Sequence, residues 1–90
     1  MIDIEAARKL AQALEEDLGK LPAGSPEVAV LRAEVQRLKD VLAAPEPAHG
    51  WVKDALHDIR TLFEAGAETA KVDAIVAGRY VASIGKMLGL

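Results

Sequence analysis

The chain has 90 residues, 51% of them apolar but only three aromatic (Trp51, Phe63 and Tyr80), and a formal net charge of -3. Ninety residues predict one domain at most, with a core of Leu, Val, Ile and Ala; a chain this short buries a modest fraction of its surface, and a partner chain is a common way to complete the core. The charge balance gives no basic footprint for nucleic acid, and the absence of cysteine excludes disulfides and zinc–thiolate sites.

The apolar residues fall on alternating three- and four-residue steps, the period of helices packed along their length. The first stripe is Ile4, Ala7, Ala11, Leu14, Leu18 and Leu21. It predicts a helix over about 3–18, with Asp3 as N-cap, Glu5 in the positive first turn, and an end near Gly19. The N-terminal run Met1-Ile2-Asp3-Ile4-Glu5 lacks a basic segment and does not read as a signal peptide.

The second stripe is Val28, Leu31, Val35, Leu38 and Leu42, predicting a helix over about 26–43. Ser25-Pro26-Glu27 is a helix start: a capping hydroxyl, a proline at the first helical position and an acid opposing the dipole. The short loop between the two helices predicts an antiparallel hairpin. Pro45-Glu46-Pro47-Ala48-His49-Gly50 follows as a stiff elbow over 45–50, since two closely spaced prolines cannot sit inside a helix.

No proline occurs after the elbow. Val52, Leu56, Ile59 and Phe63 make a third stripe, and Ala67, Ala70, Ala74, Ala77, Val81, Ile84 and Leu88 a fourth. The two join with a small phase shift, so the expectation is one long helix over about 51–88, ~57 Å in length and bent at Gly66. The competing expectation is a break at Gly66, giving four helices that close as a monomer. The fold class is all-α either way: a helical hairpin packed on the C-terminal segment, forming a bundle.

A long helix would leave its second half uncovered by the hairpin. The expected function is therefore a non-enzymatic, cytoplasmic oligomerisation or protein-interaction module, a homodimer in its simplest form. The seam comprises Leu56, Ile59, Phe63, Ala70, Ala74, Ala77, Gly78, Val81, Ile84 and Leu88. Ala70, Ala74, Gly78 and Ala82 form a ridge of small residues suited to close helix approach. The alternative is an adaptor that binds a different protein through the same stripe.

Other readings are weaker. Asp54, His57 and Asp58 share a helix face at metal-ligand spacing, but lack a matched second motif, and a mixed solvated surface is expected there. Ser25 is explained as a cap, and Ser83 has no base nearby in sequence. No phosphate-binding or nucleophile-elbow motif occurs, so neither catalysis nor a cofactor is expected. Trp51 either anchors a partner or covers the end of the core, and the second is the commoner role. The apolar C-terminal stretch contains Arg79 and Lys86 and lacks a strong basic face, so no membrane role is expected.

Overall fold

The computed structural model describes residues 2–21, 24–68 and 73–90. They form four helices, with no strand among the described residues: α1 (Ile4–Gly19), α2 (Pro26–Leu42), α3 (His49–Glu68) and α4 (Ala74–Leu88).

Local chemistry sets the helix starts. The Asp3 carboxylate accepts from the Ala6 amide at 3.1 Å, satisfying one of the orphan donors that open α1. At α2, Pro26 takes the first turn as expected, but Ser25 does not cap through its side chain. Its hydroxyl instead donates to Glu27 at 3.0 Å. The elbow ends earlier than the sequence suggested, since α3 already includes His49 and Gly50.

The helices pack in chain order, α1 on α2, α2 on α3 and α3 on α4. The Arg32 guanidinium donates to the Leu18 carbonyl (2.8 Å), Lys39 pairs with Glu15 (2.6 Å), and Arg8 donates to the Leu42 carbonyl (3.1 Å). These pairs run in opposite directions along α1 and α2, which makes the hairpin antiparallel. Arg37 of α2 reaches Asp58 of α3 at 2.8 Å. Phe63 of α3 stacks on Tyr80 of α4 with ring centroids 5.2 Å apart. The Tyr80 hydroxyl then donates to the Asp17 carboxylate, joining the last helix to the first.

Of the three sequence stripes that precede residue 66, every residue but Ile4 and Leu21 is buried. Leu14, Leu31, Leu38, Leu56, Ile59 and Phe63 are each under 2% exposed. The radius of gyration is 12.3 Å, close to the ~12 Å expected of a compact domain of this length.

The single helix over 51–88 is not formed. It would be ~57 Å long, whereas the longest dimension of the molecule is 35 Å. α4 packs back along α3. Gly66 is not the breaking point; it lies buried inside α3. The interruption is marked by Asp73, whose backbone is non-helical (φ -57°, ψ 123°) and whose carboxylate accepts from the amides of Ile75 (2.9 Å) and Val76 (3.2 Å). Folding back is favoured because it buries Tyr80 and Ile84 against α3, and each Leu-sized side chain so covered contributes about 1.5–3 kcal/mol.

Candidate functional site

The fold divides the expected interface residues into two groups. Leu56, Ile59, Phe63, Ala77 and Ile84 are at most 1% exposed within the single chain. Their side chains are consumed by the bundle's own core and cannot meet a partner while it is closed. Val81 and Leu88 are half-buried against the same core. Ala74 and Gly78 are exposed, and Ala70 lies outside the described residues. The expected seam is therefore mainly the α3–α4 packing inside one molecule. The physical reason is that α4 packs on α3 within one chain and supplies the cover that the sequence assigns to a second.

What remains on the surface is a different face of α4. Ile75, Gly78, Arg79, Ala82, Ser83 and Lys86 are all exposed. Ile75 is 80% exposed. A Cβ added at Gly78 would meet nothing within 4 Å, so the chain's own packing does not require glycine there. Glycine inside a helix costs about 1 kcal/mol relative to alanine. The only charges on this face, Arg79 and Lys86, make no ion pair among the described residues.

Next to this face runs a shallow groove of about 360 Å³ between α3 and α4. Ala67, Ala74, Ala77 and Gly78 give it a small-residue lining, and Glu64 and Glu68 stand on its α3 side. Glu64 is engaged with Arg60 at 3.2 Å. Sequence periodicity missed Ile75 because it belongs to none of the four stripes. The available signal was that misfit: a large apolar residue two positions after a capping aspartate, off the helix's inner face.

Trp51 is 67% exposed and lies outside the core, so it does not cover the end of the bundle as expected. It sits in the first turn of α3, immediately after the proline elbow. The Tyr80 hydroxyl finds its partner in Asp17 of the same chain. Burial and the Asp17 bond both push the Tyr80 hydroxyl above its ordinary titration range, because each disfavours a phenolate.

The Asp54–His57–Asp58 trio is not assembled into a ligand set. Asp58 is taken by Arg37, and His57 is exposed, with its backbone carbonyl accepting from the Thr61 hydroxyl at 3.0 Å. Among the described residues no group of three or more potential ligands gathers to hold a metal ion. His49, the other histidine, is in the first turn of α3 with its Nδ1 buried and without a hydrogen-bond partner. Among the described residues no helix is long and apolar enough to cross a membrane.

The chain matches no family model, no curated protein and no solved structure.

Proposed function

We propose that this chain is a non-enzymatic helical module that acts by presenting the outer face of α4 to another helix. One observation carries the reading: Ile75 stands 80% exposed on a helix face where Gly78 leaves open space that the chain's own packing does not use. A bare backbone beside an exposed large side chain suits the close approach of a second helix. A cytoplasmic location belongs to the same proposal.

A second copy of the chain is the simplest partner, giving a homodimer. A different protein is the alternative, and the charge of the face supports it. Arg79 and Lys86 have no acid beside them on α4, whose sequence contains none from Ala74 to Leu88. Two copies placed α4 against α4 would bring like charges together, whereas a helix carrying Asp or Glu would complement them.

Light scattering on the purified chain, alone and with Ile75→Asp and Gly78→Leu, tests the proposal. Both substitutions point into open solvent in the single chain, so the fold should survive while association is lost. A wild-type assembly whose mass is the same in both variants would exclude this face.

A further inference from the structure

Sequence and structure disagree over residues 51–88, and each has a physical basis. The sequence from Ala67 to Ala77 contains neither glycine nor proline, and its apolar steps run on without interruption to Leu88. The structure nevertheless starts α4 afresh at Asp73, with the carboxylate holding two amides of the new helix. We infer that the chain has a second packing, a domain-swapped dimer. In it α3 continues into α4 as one helix, and α4 of each copy takes the place of α4 on α1–α3 of the other.

Three observations support this. The first is register. Phe63 lies opposite Tyr80, and a Cβ on Gly85 would lie 3.6 Å from the Arg60 side chain. The midpoint of both pairs falls at about residue 72, inside the connection between the helices. Two straight antiparallel helices related by a two-fold axis at that point reproduce the same pairing between chains. Residues 49–88 as one helix would be ~60 Å long, with each half covered by the opposite half of its partner.

The second is the way α4 is attached. Side-chain hydrogen bonds and ion pairs tie α1 to α2 and α2 to α3. Among the described residues, α4 is joined to the other helices by one side-chain hydrogen bond, Tyr80 to Asp17. Its remaining attachment is apolar packing, through Ala77, Tyr80 and Ile84. Exchange therefore breaks one such bond per copy and re-forms it with the partner.

The third is the cover itself. The face of α3 bearing Ile59 and Phe63 is already complementary to α4, so the swapped dimer needs no new surface. Exchange of identical elements is a low-cost route to dimers. The balance lies between the cap at Asp73, which favours the closed chain, and helix continuity plus mass action, which favour the pair. This inference uses the inner face of α4 and is independent of the outer-face association proposed above.

The test is solution mass against protein concentration, by chromatography with light scattering, for wild type and Asp73→Ala. An N-cap is worth about 1 kcal/mol, or roughly fivefold, and a dimer forgoes two, so Asp73→Ala should raise the association constant about 25-fold. Inserting two glycines between Ala70 and Lys71 should return the protein to monomer, since it disfavours a continuous helix. Ile75→Asp should leave the swapped dimer intact. A folded Asp73→Ala that stays monomeric at every concentration overturns the inference. If that variant fails to fold, wild type refolded from denaturant at high concentration decides: a slowly dissociating dimer supports the swap, and monomer alone refutes it. A dimer abolished by Ile75→Asp also refutes it, and assigns association to the outer face instead.

Discussion

The Tyr80 hydroxyl donates to the Asp17 carboxylate across a sequence separation of 63 residues, joining the final helix to the first. Tyr80 is only 7% exposed, and its ring stacks on Phe63. One side chain thus serves two helices: its ring packs on α3 and its hydroxyl reaches α1.

Tyr80→Phe keeps the stacked ring and removes the bond. Loss of a hydrogen bond to a charged group at a partly buried position should cost about 1–2 kcal/mol in urea denaturation. Tyr80→Ala also empties the ring's space, and should cost about 3–5 kcal/mol. Equal losses in the two variants would show that the ring contributes nothing.

The same residue makes an alkaline limit. The folded-state pKa of Tyr80 is raised above its ordinary 10.0, first by burial and then by the Asp17 bond. Its contribution to stability is therefore fully present below pH about 10 and is lost as the pH climbs above that value. Thermal melts of wild type should fall more steeply above pH 10 than those of Tyr80→Phe. Parallel curves for the two proteins would disprove the link.

Asp73→Ala removes the two hydrogen bonds that start α4. The closed monomer should lose about 1 kcal/mol, as is typical of an N-cap. Hydrogen exchange should show the effect first at the amides of Ile75 and Val76, whose acceptors disappear. An unchanged exchange rate at both amides would contradict it.

Gly78→Ala should behave oppositely in the single chain. A Cβ there meets nothing, so the better helix former should stabilise the monomer by up to about 1 kcal/mol. Any assembly that packs a backbone against this position should weaken in the same variant. A lower melting point measured under monomeric conditions would show that the site is more crowded than its geometry.

Ile84→Asp and Ile75→Asp place the same charge one on each side of α4. Ile84 is fully buried, and an unpaired carboxylate there should prevent folding, since even truncation of such a residue costs about 2–5 kcal/mol. Ile75 is in water, and its replacement should leave the circular dichroism spectrum and the melting point nearly unchanged. A stable, helical Ile84→Asp monomer would mean that α4 does not pack through this face.

The helical class, the hairpin and most of the core were legible in the order of the residues. Leu14, Leu38, Leu56 and Ile59 announce their burial by spacing, because a helix places residues three and four apart on one side. The cap at Asp3 and the proline at 26 were legible for the same local reason: both act on neighbours within one turn. Ser25 shows the limit, since its hydroxyl had a competing acceptor in Glu27 and used it.

The sequence by itself determined which residues seek cover, because periodicity is a property of neighbours along the chain. It did not determine who supplies the cover. The apolar stripe from Ala67 to Leu88 is equally satisfied by a second molecule or by its own α3. Only the tertiary structure decided between them, through the non-helical backbone at Asp73 and the stack of Tyr80 on Phe63, which bring the two halves of the segment together. That decision also turned Ile75 and Trp51 into surface residues. Exposure depends on where the other helices lie, and residue spacing carries no record of that.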